Sequence, residues 1–564
     1  MIGFPAEHAR TATAGWPNHR EAPVYGEAGM VASAHPLISA AGLHVLRQGG
    51  NAVDAAVAAA AVGSVTMPEM CGLGGDLFAI VHRPGDAGAR GQAGGETIAV
   101  LGSGIAPRAA TIEMMRRHGD AGGTTMPYRG PLAVGVPGMV DAYASLVERF
   151  GTWTLASLVE PAIAHARDGF PLTEKGAAAI ADNAAMLSDF PASAAVFLPG
   201  GVVPATGDLL RQPDLARTLE IVADGGADAF YRGRLGDRIA RAIGEAGGVL
   251  SAEDLAGHTT DLVAPIATTY RGHTVYQTGL PTQGLILLGA LNIVERSEMA
   301  GLMPGGDAWV HFQVEAKKLA YADRLGFAAD PAFVSTPMDM LLSKAWAEER
   351  SGRIGERAAS DVPPGEHRDG DTTYLCVVDR DGMMVSLIQS VSAAFGCGMV
   401  AGDTGVVLNN RVGRGFSLEE GHPNVFAPGK KTMHTLNCFL IADETGTPVL
   451  VGGTPGGDGQ PQWNLQTITG LVDAGLDVQA AIEQPRWTSW PGTDPSTLPN
   501  PYELRIEDRA GEDVIAALRE RGHEVRVQGS WAGGGASQVI ARDPSTGVMV
   551  GGSDPRAEGI ALGL

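Results

Sequence analysis

Apolar residues along this chain fall into stretches of period two and stretches of period 3.6, the signatures of strand and helix. Met30 to Ala34 reads as a short strand, and residues 36 to 48 as a helix with Leu37, Ala41, Leu43, Val45 and Leu46 apolar, stopped by Gly49-Gly50. Asn51 is placed to cap a second helix, residues 52 to 62, that is almost entirely Ala and Val. A helix that is apolar all round has no face for water and belongs in the interior. Strands are predicted at Leu77–Val81 and Ile98–Leu101, the second running into Gly102-Ser103-Gly104. From residue 137 to about 347 the period is mainly helical, with helices at 140–150, 156–168, 174–185, 214–223, 235–246 and 252–256. A strand-like stretch broken at Gly272 precedes two long helices, Gly284 to Glu295 and Ala308 to Arg324, whose Glu315 and Arg324 read as structural charges.

A polar run, residues 351 to 371 with Pro363-Pro364, then gives way abruptly to strand. Thr372 to Val378 is apolar, turns at Asp381-Gly382, and returns as Met384 to Val391; an Asp-Gly between two such runs predicts a hairpin. Further strands are expected at 438–441, 449–451, 538–541 and 548–551, with helices at 462–474, 478–483 and 511–521. Strands at both ends and helices between them predict an α+β fold of two stacked sheets covered by helices.

Composition narrows the function classes. The 564 residues carry 41 basic and 63 acidic side chains, a net charge of −22, which disfavours nucleic acid and anionic membrane as partners. The longest apolar run, 55 to 62, is too short to span a bilayer, and the first ten residues lack a basic start and an apolar core. A soluble, cytoplasmic protein is the expectation. Cys71, Cys376, Cys397 and Cys438 are scattered, with no Cys-x-x-Cys, so neither a metal site nor a disulfide framework is expected, and no cofactor either. Gly72-Leu-Gly-Gly-Asp76 lacks the spacing of a nucleotide loop and reads as a tight turn before a strand.

The chemistry centres on Thr372, at the junction of a loose loop and a buried strand. A Thr hydroxyl is a weak nucleophile unless a base lies beside it. A cut before Thr372 would supply that base as a new α-amine, whose ordinary pKa of about 7.7–8.0 leaves a useful neutral fraction near pH 7. The alternative is a β-branched residue chosen only because it favours strand.

The wider chain adds Gly29-Met-Val-Ala-Ser-Ala-His-Pro36, Gly49-Gly-Asn-Ala-Val-Asp-Ala-Ala56, the Gly72-Leu-Gly-Gly-Asp76 turn, Gly135-Val-Pro-Gly138, Glu315 to Arg324, Pro455-Gly-Gly457 and Ser553-Asp-Pro-Arg556. In that order, and over residues 29 to 564, the sequence resembles the gamma-glutamyltranspeptidase family of N-terminal-nucleophile hydrolases. The resemblance implies a four-layer αββα sandwich and a proenzyme that cuts itself between Asp371 and Thr372. It implies a large fragment, 1–371, and a small one, 372–564, sharing one composite domain as a heterodimer, with further dimerisation left open. It assigns Thr372 as nucleophile, Gly456 and Gly457 to the oxyanion, and Ser390 to support of the nucleophile. Ser392 takes the place of a substrate-contacting Asn, and Asn409-Asn410 is kept before the substrate loop.

Three positions depart from the family. Gly102-Ser103-Gly104 fills the slot of the arginine that clamps a substrate α-carboxylate. Arg414 stands where an Asp holds the α-ammonium, and His434-Thr435 replaces paired serines. An Arg fork repels an ammonium and matches a carboxylate in two bonds. The expected substrate is therefore a small amide whose acyl group ends in a carboxylate, of glutaryl or oxamate type. A true gamma-glutamyltransferase or glutathione hydrolase is the alternative, and an uncleaved binding protein the third. His422 and His434 read as structural hydrogen-bonders.

Overall fold

Two seven-stranded antiparallel sheets stack face to face in the computed structural model, which describes residues 1–4, 21–85, 95–297, 299–360, 372–491 and 502–564. Chain order gives β1 (Val24–Gly26), β2 (Gly29–Ser33), β3 (Asp76–Arg83), β4 (Glu96–Gly102), β5 (Asp261–Val263), β6 (Ile266–Tyr270) and β7 (His273–Gln277). After the polar run come β8 (Thr373–Asp379), β9 (Met384–Ser390), β10 (Cys438–Ala442), β11 (Pro448–Gly453), β12 (Gln538–Arg542), β13 (Met549–Ser553) and β14 (Ile560–Gly563). One sheet runs β14–β2–β8–β9–β3–β4–β5 and the other β1–β13–β12–β11–β10–β7–β6. Each therefore takes strands from both sides of Thr372. The Asp381-Gly382 hairpin is formed, with Gly382 at φ +87° and Thr373 opposite Gln389.

Strand alternation sends Tyr374, Cys376, Ile388, Phe78, Ile80 and Leu101 inward, where they meet Cys438, Leu440, Val451 and Ile540 of the other sheet. The outer faces are covered by helices, which completes the αββα order. On the β8 side lie α1 (Pro36–Arg47), α2 (Ala52–Thr66), α3 (Met139–Phe150), α4 (Leu155–Asp168) and α5 (Pro213–Tyr231). On the other lie α6 (Gly284–Val294), α7 (Asp307–Phe327), α8 (Gln460–Val472) and α9 (Val478–Glu483). Every residue of α2 is buried, as a helix almost entirely of Ala and Val requires, and Asn51 caps it by accepting from Val53 N and Asp54 N while the Asp54 carboxylate accepts from Asn51 N.

Several expectations are corrected in detail. The helix expected at 214–223 runs on to Tyr231, broken at Gly226. The one expected at 174–185 stops at Asp182 and restarts at Ala184. The stretch broken at Gly272 is a hairpin, β6–β7. Trp487–Trp490, Glu503–Glu507 and Val525–Gln528 form a small third sheet that the periodicity did not announce. The four cysteines are free and buried. Among the described residues, no helix is long and apolar enough to cross a membrane. Asp371, half of the expected cleavage site, lies outside the described residues.

Candidate active site

Thr372 stands one residue before the central strand β8, 1 % exposed, and its Oγ1 donates to Ser390 Oγ at 3.2 Å. Ser390 ends β9, and Ser392 N donates to the same oxygen at 2.7 Å. Two donors on one hydroxyl fix the oxygen, so the contact orients the threonine. On its open side Thr372 lines a cavity of about 380 Å³, with Gly456, Met67 and Trp463 among its walls.

Gly456-Gly457 is a sharp turn between β11 and α8, at φ +120° and +54°. Glycine is required at Gly456, since a Cβ there would lie 2.1 Å from the Trp463 ring. The turn is clamped from behind. Arg324 of α7 bonds Asp458 Oδ1 at 2.8 Å and Gln283 Oε1 at 2.9 Å, and Gln283 Nε2 donates to Gly457 O at 3.1 Å. The Tyr321 hydroxyl donates to Asp458 O. The Glu315-to-Arg324 segment thus works through buried pairs. Arg324 holds the glycine turn, while Glu315 binds Lys318 and Ala359 N. Gly456→Ala should push the turn off Trp463 and lower kcat by about 10²–10³, the scale of losing one oxyanion donor, which steady-state kinetics would read.

Ser392 holds a positive φ of +89°. Arg414 Nη1 donates to its carbonyl at 2.9 Å, and Asn410 Oδ1 accepts from Ala393 N at 3.0 Å. The two therefore brace the loop that leaves β9. His434 is fully buried beside Phe78, and burial next to Arg411 drives its pKa well below the usual value, which keeps the ring neutral. Thr435 follows it, and Gln283 Nε2 donates to the Thr435 carbonyl. Ser103 is buried directly after β4. His422 accepts from Asn424 N through Nδ1, a loop-shaping contact.

Asp76 and Arg411 were not singled out as site residues from sequence. Asp76 is the first residue of β3, rather than part of a free turn, and Arg411 Nε donates to its Oδ2 at 3.0 Å. Burial raises the Asp76 pKa to about 6, against the pull of Arg411. The sequence signal was a charge at each position, with Asp76 also closing Gly72-Leu-Gly-Gly-Asp76. As for metals, ligand atoms of His311, Glu315 and His523 lie within 4.8 Å of one another. His311 bonds His523 at 2.8 Å and Gly355 O at 2.9 Å, and Glu315 holds Lys318, so each of the three already has a protein partner.

A buried threonine hydroxyl held by a serine, facing a cavity with a glycine turn in its wall, is the equipment of acyl transfer. Comparisons with known proteins agree. The family model "Gamma-glutamyltranspeptidase" matches residues 38–564. The glutathione hydrolase-like YwrD proenzyme of Bacillus subtilis is 36% identical over 96% of this chain and 99% of its own. The oxamate amidohydrolase proenzyme of Klebsiella pneumoniae is 36% identical over 95% and 98%. The crystal structure of cephalosporin acylase from Bacillus halodurans superposes with a TM-score of 0.88 at 35% identity, covering 97% of this chain and 98% of that one. The chain belongs to the gamma-glutamyltranspeptidase family, and so to the amide hydrolases and acyltransferases of the N-terminal-nucleophile type.

Proposed function

We propose that this protein is a self-processing amidase or acyltransferase that acts on a small amide whose acyl group ends in a carboxylate, through an acyl-enzyme on Thr372. The observation that carries the reading is the Thr372–Ser390 contact at the wall of the 380 Å³ cavity that Gly456 shares. A cut between Asp371 and Thr372 turns the Thr372 nitrogen into an α-amine. That amine takes the hydroxyl proton as Oγ1 attacks the amide carbon, and returns it to the departing amine. Gly456 and Gly457 receive the oxyanion. Water, or a second amine, then attacks the ester carbon and restores the Thr372 hydroxyl. The two pieces remain together as a heterodimer, because both sheets are built from both of them.

Substrate choice rests on charge. Arg411 and Arg414 put two buried guanidinium groups at the loop that leaves β9, which Arg414 and Asn410 brace, and Ser103, His434 and Thr435 are the buried polar residues assigned to the acyl site in this reading. This favours an anionic acyl tail over an ammonium-bearing one. The relative named as an oxamate amidohydrolase and the neighbour named as a cephalosporin acylase support the reading, and the relative named as glutathione hydrolase-like supports its rival. Side-by-side turnover of glutaryl and γ-glutamyl p-nitroanilides decides between them. A kcat/KM for the glutaryl compound ~10-fold or more above the other is expected. The reverse order would favour a true gamma-glutamyltransferase or glutathione hydrolase.

A further inference from the structure

Four adjacent strand ends carry one row of polar side chains on the face between the sheets. Thr372 meets Ser390, Ser390 pairs with Asp76 in the β9–β3 register, and Ser103 lies one step beyond the Leu77–Gly102 pair. Gly104 N donates to the Asp76 carboxylate, which ties the far end of the row together. Over the row hangs His434, its Nδ1 3.9 Å from Asp76 Oδ2, with Thr435 next to it. Arg411 enters from the short helix Arg411–Gly415 and fixes itself on Asp76 through Nε.

Six atoms in this small volume are buried with no hydrogen-bond partner among the described residues. They are Ser103 Oγ, Ser392 Oγ, Arg411 Nη2, both ring nitrogens of His434, and Thr435 Oγ1. Buried polar groups are almost always paired, so a cluster of unpaired ones marks a place for a partner from outside the chain, water or a ligand that displaces it. Donors dominate it: a guanidinium nitrogen, three hydroxyls, and one N–H of a neutral imidazole. Asp76, the carboxylate beside His434 and Arg411, is already bound by Arg411 and by Gly104 N, so it has little left to offer an ammonium.

We propose that Arg411 is the specificity-determining residue of the acyl pocket. Its free Nη2 receives the terminal carboxylate of the acyl group, with the hydroxyls of Ser103, Ser392 and Thr435 and the His434 ring completing the shell. Asp76 is a positioning residue: it holds the guanidinium by Nε and leaves Nη2 turned to the ligand. Arg414 then braces the Ser392 carbonyl instead of touching substrate. The inference rests on the carboxylate-acyl reading above and names the residue that enforces it.

The test uses purified wild-type protein, Arg411→Met, and the double variant Arg411→Met with Asp76→Asn, which removes both charges and guards against a misfolded single variant. Substrates are glutaryl p-nitroanilide and its uncharged match, pentanoyl p-nitroanilide. Arg411→Met, or the double variant where the single one does not fold, should raise KM for the glutaryl compound ~30-fold or more. The pentanoyl compound should change less than about 3-fold. Free glutarate should raise the melting temperature of wild type and not of the variants. An equal loss on both substrates, with glutarate still stabilising the variants, overturns the role of Arg411. If wild type cleaves neither anilide while glutarate stabilises it through Arg411, the pocket assignment stands and the reaction reading fails. If wild type neither cleaves the glutaryl compound nor responds to glutarate, both fail together.

Discussion

Thr372→Ala is expected to leave a single uncut chain of 58.2 kDa and to lower amidase activity by at least ~10⁴-fold. Wild type is expected as two pieces, of which the smaller begins at Thr372 and runs the 193 residues to Leu564. The loss follows from one atom in two uses. In maturation Oγ1 attacks the peptide carbonyl before it. In turnover the same oxygen attacks the substrate, with the freed amine as base. Thr372→Ser keeps the hydroxyl and the Ser390 contact, so it should still cut itself, only more slowly. Intact mass and N-terminal sequencing of the three proteins read the outcome. An uncut wild type would remove the base and bring the binding-protein reading forward. Cut Thr372→Ala protein would place the nucleophile elsewhere.

The second large effect is one of stability. Glu507→Gln should destabilise the protein by about 3–5 kcal/mol in urea unfolding, the range for stripping one partner from a buried ion pair. Glu507 is fully buried, accepts from Arg556 at 2.6 and 2.9 Å and from Arg509 at 2.6 Å, and also receives Gly533 N and Arg486 N. Neutralising it leaves that cluster of guanidinium groups underbalanced, with Asp554 the remaining anion on Arg486 and Arg556. Bonds and charge from Arg556, with Arg509 and Arg486 adding to them, offset the cost of burial and hold the Glu507 pKa at about 2, against 4.5 ordinarily. The sign is that of a depressed acid. The stabilisation is complete above pH 4.5 and is lost as pH falls through 2, and a shift of that size corresponds to about 3 kcal/mol. Insensitivity of the urea midpoint to Glu507→Gln would refute the account.

The network explains the chain's closing motif. Ser553-Asp-Pro-Arg556 was visible in sequence only as a resemblance. In the fold, Asp554 accepts from Ser537 N and Arg556 N, and Arg556 stacks near Trp531 while binding Glu507. Local signals were legible wherever the partner is near in sequence. The Asp381-Gly382 hairpin, the Asn51 cap and the Ala/Val-rich α2 needed nothing from far along the chain. What sequence could not give was long-range pairing. Arg411 and Asp76 are 335 residues apart, and Arg324 and Asp458 are 134 apart. No periodicity relates such pairs. Glu315 and Arg324 on α7 read as structural charges, and Glu315, Lys317, Lys318 and Arg324 are all buried, but the sequence named none of their partners. Lys317 Nζ donates to the Ser489 and Pro491 carbonyls, and the small third sheet that carries Ser489 was itself unannounced. Sequence also pointed to Arg414, whereas it is Arg411, three residues earlier, that binds Asp76 in the polar row.

Strand β8 is flanked by β2 from the first part of the chain and β9 from the second, and the other sheet is shared in the same way. A cut before Thr372 therefore alters covalent connectivity without opening any edge. The two pieces would travel as one particle and melt as one unit. Their history would differ, however. An uncut chain refolds by a first-order process, whereas separated pieces must first collide, so recovery after unfolding becomes second-order and fails on dilution. Maturation would thus act as a ratchet: the molecule folds once as a single chain, and afterwards keeps its shape mainly because the two pieces are slow to come apart.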